Sequence, residues 1–133
     1  NTNKGFSNTR VIIIQKLYGK LFNKDEIISF PKHRFKKFIK DVVYGTIERD
    51  EVLNEELSIL SKNYNLKQLD KIIVIILKAS IYEFLYKSKT PIKIIIKEYL
   101  NASNFFLNSS QTKYLHSIMD TLGKNIRKTY EWV

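Results

Sequence analysis

The sequence contains 133 residues, and its hydrophobic fraction of 44% is enough for one compact domain with its own core. Lysine and arginine total 23 against 13 acidic residues, so the net charge of +10 suits a polyanionic partner such as nucleic acid, although a biased genomic base composition would give the same lysine excess. The absence of cysteine excludes disulfides and thiolate metal sites. The longest apolar run, residues 72 to 77, is too short to span a membrane. We therefore expect a soluble cytoplasmic protein.

The local pattern predicts helices from the start of the chain. Only four glycines and two prolines interrupt it, and neither Asn-Gly nor Asp-Gly occurs, which disfavours tight hairpins. A first helix is expected to begin after a cap at Ser7 or Asn8 and to end near Asn23. Its apolar stripe has helical spacing. The stripe consists of Val11, Ile14, Leu17, Tyr18 and Leu21.

A second helical region is predicted from about Pro31, a residue type that suits the first turn of a helix, to Gly45 and beyond. A third region follows a break near Arg49 and Asp50. It combines an apolar face with an acidic face, as is typical of a solvated helix. The apolar face consists of Ile47, Val52, Leu53, Leu57 and Leu60.

The apolar run at residues 72 to 77 suits a buried strand as well as a helix, because it is rich in β-branched residues. Length decides between the two. Helical spacing continues outward from Leu69 to Leu85 for about four turns, so we predict a central helix that is buried on two sides.

Two more helices are expected in the remaining sequence. Thr90 and Pro91 are predicted to cap and open the first of them, whose apolar face extends to Phe106. The last helix is expected to start at Ser109 or Ser110. Basic residues near its end would complement the negative end of the helix dipole. They are Lys124, Arg127 and Lys128.

Residues suited to catalysis or metal binding are scarce. His33 and His116 are far apart and have no acidic or sulfur partner at ligand spacing, which disfavours a metal site. No phosphate-binding loop, dinucleotide fingerprint or nucleophile elbow occurs. We therefore expect a protein that is not an enzyme and that uses no cofactor or small-molecule substrate.

The start of the last helix has a composition that suits RNA. Free backbone N–H groups at a helix start favour phosphate, and an aromatic ring there can stack an unpaired base. Lys113, Tyr114 and His116 follow the predicted cap. A role for Tyr114 in the core fits the sequence equally well.

Several blocks in order along the chain carry a family resemblance. They are Gln15-x-Leu17-Tyr18, Phe38 to residue 43 with Gly45, Ala79-x-x-Tyr82-Glu83, Pro91-x-Lys93 with Glu98, and KYLHSIMD at residues 113 to 120. Together, over residues 9 to 127, they resemble the NusB family of bacterial transcription antitermination factors. The resemblance implies an all-α fold of two packed antiparallel three-helix bundles that share one core. The whole chain, residues 1 to 133, would form a single domain. Its two parts would be residues 1 to 64 and 65 to 133, divided at about residue 64.

The resemblance also implies a function. A member of this family is expected to bind the boxA element of nascent ribosomal RNA transcripts together with a small-subunit ribosomal protein, NusE, in an antitermination complex on RNA polymerase. The RNA-binding residues carried over by position are Lys4, Arg10, Tyr18, Lys113, Tyr114 and His116. The partner-binding residues are Lys67, Lys71, Val74 and Lys78 on and before the central helix.

Two alternatives stand beside this function, and departures from the family pattern motivate the first of them. The arginine-rich N-terminal arm is reduced to Lys4 and Arg10, and His116-Ser117 replaces an Asn-Gly pair. One alternative is a helical protein-interaction module that has lost specific RNA reading. The other is the RNA-binding part of a ribosomal RNA cytosine methyltransferase, whose N-terminal domain resembles NusB, and the length of 133 residues argues against it.

Overall fold

A computed structural model of the chain describes residues 7–130 and the side chains of residues 7–128. This part of the chain contains α-helices and short 3-10 turns, and no strand occurs within it. The α-helices are α1 (Thr9–Phe22), α2 (Lys36–Glu48), α3 (Asp50–Leu57), α4 (Lys71–Tyr86), α5 (Ile92–Ser103) and α6 (Ser109–Tyr130). The 3-10 turns at Ser58–Lys62 and Leu66–Gln68 connect α3 to α4.

The fold consists of two three-helix bundles, α1 to α3 and α4 to α6, packed around one core. Helix α4 lies at its centre and contacts each of the other five helices. Ten of its sixteen residues are buried, which confirms the prediction of a central helix covered on two sides. The buried apolar side chains of both bundles form a single cluster. The predicted all-α class is thus confirmed, whereas the division at residue 64 stays a prediction.

Side-chain caps fix three helix starts close to where the sequence predicts them. The Asn8 side chain accepts hydrogen bonds of 3.0 Å from the backbone N–H groups of Arg10 and Val11. Asp70 accepts one of 2.8 Å from Ile72 N. Asn108 and Gln111 cap the start of α6 reciprocally, since each side chain accepts a hydrogen bond from the backbone N–H of the other.

The start of α2 differs from the prediction. The helix begins at Lys36, so Pro31 lies outside it. His33 explains the delay, because its Nδ1 accepts a hydrogen bond of 2.9 Å from Phe35 N and holds a local turn that competes with the helix. The predicted break at Arg49 is confirmed, since this residue separates α2 from α3.

The predictions for α5 and for the stripe of α1 also need correction. Pro91 is the N-cap of α5, with ψ of 145°, and lies one position before the first turn. Helix α5 ends at Ser103, so Phe106 lies beyond it. In α1, Leu21 is 45% exposed because the last turn of this helix extends past the core.

Two contacts hold α4 against its neighbours. Gly45 of α2 lies directly against the Tyr82 ring, which leaves no room for a Cβ atom. Arg127 of α6 donates hydrogen bonds to four backbone carbonyls at the end of α4 and in the connector to α5, and burial lowers the pKa of its guanidinium. The acceptors are Phe84 O at 2.8 Å, Ser88 O at 3.2 Å, Lys87 O at 3.3 Å and Thr90 O at 2.8 Å.

The described residues contain no helix that is both long enough and apolar enough to cross a membrane.

Candidate functional site

Arg10, a predicted RNA contact at the start of α1, is bound to a buried carboxylate. Its Nη2 lies 2.5 Å from Glu83 Oε1 and its Nε lies 3.1 Å from Oε2, so the pair is bidentate. The Arg10 side chain is 13% exposed and that of Glu83 is fully buried. Aromatic rings of Phe38 and Tyr99 cover the guanidinium at 4.9 and 5.7 Å from their centroids.

The electrostatics of this pair follow from its burial. Burial alone would lower the pKa of the Arg10 guanidinium, but the hydrogen bonds and the charge of Glu83 outweigh it, and the pKa is raised. Burial and the Glu83 charge raise the pKa of the Tyr99 hydroxyl well above its usual value. That hydroxyl has no hydrogen-bond partner at standard geometry among the described residues. Arg10 therefore serves primarily to neutralise a charge inside the core.

Helix α1 runs antiparallel to α4, and its two predicted RNA residues, Arg10 and Tyr18, lie about 12 Å apart along the axis of α1, with Tyr18 nearer the start of α4. Arg10 contacts Glu83 near the end of α4. Tyr18 packs edge-on against Phe22 at 4.9 Å, and Lys71 at the start of α4 lies 5.7 Å from the Phe22 ring. Tyr18 is 36% exposed, so it belongs to the surface at this end.

The start of α6 presents the other predicted RNA residues to solvent. Tyr114 is 40% exposed and packs edge-on against Tyr64 with ring centroids 5.6 Å apart. Lys113 is exposed, and His116 Nε2 lies 3.6 Å from Asp120 Oδ2 one turn further on. The Tyr114 ring is thus a surface group and not part of the core, while its role in RNA binding stays a prediction.

The structure brings the predicted RNA residues together only in part. Lys113, Tyr114 and His116 share one helix turn, whereas Arg10 lies at the other end of α4. No hydrogen bond, ion pair or ring contact within residues 7–128 joins Tyr18 to the residues of α6. Lys4 lies outside the described residues.

Three of the four predicted partner-binding residues line one groove. Lys71, Val74 and Lys78 form a wall of a groove of about 760 Å³ between α1, α2 and α4, which we call the α1–α4 groove. Lys78 Nζ lies 2.7 Å from Asp50 Oδ1 on the opposite wall. Lys67, in the 3-10 turn Leu66–Gln68, is exposed and lies outside this groove.

The α1–α4 groove also contains residues that sequence reasoning missed. Leu21 and Phe22 are 45% and 59% exposed there, although Leu21 fits the helical spacing of the core. Thr46 lines the groove with a buried hydroxyl that has no hydrogen-bond partner within the described part of the chain. The helical stripe gives a signal for apolar residues but none for which of them extend beyond the core.

Nothing in the geometry of residues 7–128 suggests a metal centre. No group of three or more histidine, cysteine, aspartate or glutamate side chains there is arranged to hold an ion. The surfaces at the start of α6 and in the α1–α4 groove offer aromatic, apolar and cationic side chains, which suit the binding of another molecule.

Comparisons with known proteins agree on one family. A family model described as "NusB family" matches residues 7–124. The chain is 28% identical over 109 residues to a transcription antitermination protein NusB of Bartonella henselae, an alignment that covers 82% of this chain and 67% of that protein. It is 30% identical over 135 residues to the protein of the same name from Coxiella burnetii, covering 95% of this chain and 97% of that one. A solved structure of T. maritima NusB has a TM-score of 0.76 at 19% identity and covers 87% of this chain and 88% of its own, a likeness of fold.

Proposed function

Because this chain belongs to the NusB family of transcription antitermination factors, we propose that it binds boxA-type single-stranded RNA in nascent ribosomal RNA transcripts, within an antitermination complex on RNA polymerase. The observation that carries the proposal is the exposed start of α6. A solvent-facing Tyr114 ring, braced by Tyr64 and flanked by Lys113, combines a stacking surface with a cation.

The roles of the individual residues differ in this proposal. Tyr114 stacks a base, Lys113 meets a phosphate, and His116 can donate or accept a hydrogen bond at a base edge. Tyr18 adds an aromatic surface at the same end of α4. Arg10 contributes by holding α1 on Glu83, and a direct RNA contact is limited to the small exposed part of its side chain.

Replacing Tyr114 by alanine is expected to weaken binding of boxA-type RNA by about 1–3 kcal/mol, which is the usual loss when one stacked base loses its aromatic partner. Fluorescence anisotropy with a labelled boxA-type RNA and a scrambled RNA of equal length measures the effect. Tyr44→Ala is the matched control, because Tyr44 is 36% exposed and its ring packs edge-on against Phe30 at the same 5.6 Å. Equal losses in both variants, or no preference for boxA over the scrambled RNA, would contradict the proposal.

We further propose that the small-subunit ribosomal protein NusE docks at the surface formed by Lys67, Lys71, Val74 and Lys78. The α1–α4 groove supports this placement, since it offers exposed apolar side chains beside three of these residues.

Replacing Phe22 by alanine is expected to weaken binding of the ribosomal protein by at least about 1–2 kcal/mol, which is the loss typical of a central apolar anchor. Phe22 is 59% exposed, so the variant should fold normally. Phe105→Ala, which removes a ring that is 53% exposed in the connector between α5 and α6, is the control. Calorimetric titration with the purified ribosomal protein after nuclease treatment gives both affinities, and an unchanged affinity for Phe22→Ala would remove the groove from the interface.

A second candidate function is a protein-interaction module without specific RNA reading. The α1–α4 groove favours it, because that groove is independent of the residues at the start of α6. The same two titrations separate the candidates. Partner binding that depends on Phe22, combined with RNA binding that is insensitive to Tyr114 and to RNA sequence, would establish the module instead.

A further inference from the structure

A second groove lies at the opposite end of α4 from Tyr114. It encloses about 970 Å³ between the end of α4, the connector to α5, and the C-terminal half of α6. We call it the basic groove. Among the described residues that line it, four are basic and none is acidic. The basic residues are Lys93, Lys124, Arg127 and Lys128.

The three lysines of the basic groove are available to a ligand. Lys93, Lys124 and Lys128 are exposed, and none of them has an ion-pair partner within residues 7–128. Arg127 is committed to four carbonyls, and it offsets the negative end of the α4 dipole that would otherwise repel an anion. The groove therefore combines three free ammonium groups with a neutralised helix end.

An aromatic surface lies in the same groove. Tyr86 lines it and is 41% exposed. The Arg49 guanidinium lies 4.6 Å from the centroid of the Tyr86 ring, and Tyr82 packs beside that ring at 4.9 Å. The part of the Tyr86 ring that remains exposed in the groove gives a nucleic acid base a surface on which to stack, which charge attraction to an acidic peptide would not require.

The basic groove continues the face of α6 that carries Lys113. At 100° per residue, Lys124 lies about 20° and Lys128 about 60° from Lys113 around the helix axis, and the rise from Lys113 to Lys128 is about 22 Å. Asp120 lies between them on this face, with its Oδ2 3.6 Å from His116 Nε2. The same face thus bears cations at both ends.

We propose that the basic groove is a second RNA contact, which holds the sugar-phosphate backbone of a single strand whose neighbouring nucleotides bind at Tyr114. The proposal rests on the proposed RNA-binding function and extends it. The lysines act as point charges on phosphates, so this contact adds affinity for longer RNA without reading its sequence.

The test compares a short and a long RNA on the intact chain. A boxA-type RNA of about 6 nucleotides and one of about 14 nucleotides that includes the same segment are titrated at several salt concentrations, in the range of site sizes usual for single strands. Lys124→Gln/Lys128→Gln is expected to reduce the slope of log K against log salt for the long RNA by about 1.4, or about 0.7 for each lost phosphate contact. The same variant should bind the short RNA like the wild type.

Matched variants keep the result specific. Lys36→Gln/Lys40→Gln removes two exposed lysines at the same spacing on α2 and should leave the slope unchanged. Lys93→Gln, on α5, should reduce the slope for the long RNA by about 0.7. Because all five side chains are exposed, circular dichroism melts should show unchanged folding.

The outcomes separate this proposal from the function on which it rests. An unchanged slope in Lys124→Gln/Lys128→Gln, with Tyr114-dependent binding of the short RNA intact, would overturn the basic groove alone. Absence of Tyr114-dependent binding would overturn the proposed function. Titration with polyglutamate is a further arm: binding that depends on Lys124 and Lys128, without any such dependence for the long RNA, would assign the groove to an acidic protein and overturn the RNA contact.

Discussion

Replacing Arg10 by alanine is expected to lower the free energy of unfolding by about 3–5 kcal/mol, because the Glu83 carboxylate would remain fully buried without its cation. Burial makes this pair different from a surface ion pair, whose loss costs about 0–1 kcal/mol. Urea denaturation followed by circular dichroism measures the change. The result would also explain any loss of RNA binding in Arg10 variants as a loss of folded protein.

Two controls give the Arg10 experiment its meaning. Asp50→Ala breaks the exposed pair with Lys78 and should cost no more than about 1 kcal/mol. Arg10→Met/Glu83→Gln should be more stable than Arg10→Ala, because no uncompensated charge is left. If Arg10→Ala were as stable as Asp50→Ala, the stabilising role assigned to the guanidinium would be wrong.

Replacing Gly45 by alanine is expected to destabilise the protein by about 1–3 kcal/mol through overpacking. The added Cβ would overlap Cε1 and Cζ of the Tyr82 ring. That ring cannot move freely, since it is 5% exposed, its hydroxyl donates to Asp41 Oδ1 at 3.3 Å, and Tyr86 packs beside it. The usual gain of up to about 1 kcal/mol from alanine over glycine in a helix offsets part of the cost. Thermal unfolding measures the difference.

Gly19 provides the opposite expectation within the same protein. A Cβ at this position in α1 meets nothing within 4 Å, so Gly19→Ala should stabilise the protein by about 0.5–1 kcal/mol through helix propensity alone. A melting temperature that rises for Gly19→Ala and falls for Gly45→Ala would identify the Tyr82 contact as the cause. A rise in both would show that the ring moves aside.

Apolar periodicity was sufficient to predict that the helices exist, but it was insufficient to predict the residues at which they begin and end. Apolar spacing over Leu69 to Leu85 predicts α4 because four turns of stripe have one consistent explanation. The start of α2 escaped prediction because Pro31 is compatible with a first turn, whereas the competing bond to His33 depends on a side-chain conformation. Leu21 shows the same limit of periodicity. Apolar spacing identifies the stripe of a helix, but it does not show where the helix extends past the core.

The start of α6 was predictable from the sequence, whereas the role of its residues in RNA binding stays a prediction. The residues at the start of α6 were recognised from their types and from the predicted cap. The sequence did not decide whether Tyr114 lies in the core or at the surface. Glu83 lies 73 residues from Arg10, so no local pattern reveals that they form a pair. The basic groove needed the fold, because its lysines come from α5 and α6, and Tyr86 from α4.

The contacts of Arg127 bear on the order in which the chain can fold during synthesis. The carbonyls that Arg127 binds belong to residues 84, 87, 88 and 90, all made at least 37 residues earlier. Until Arg127 has been synthesised, water donates the hydrogen bonds to these carbonyls, and Arg127 later takes its place. The turn between α4 and α5 therefore gains its final geometry late, and the second bundle is expected to close only when the end of α6 becomes available, because contacts between distant residues form last.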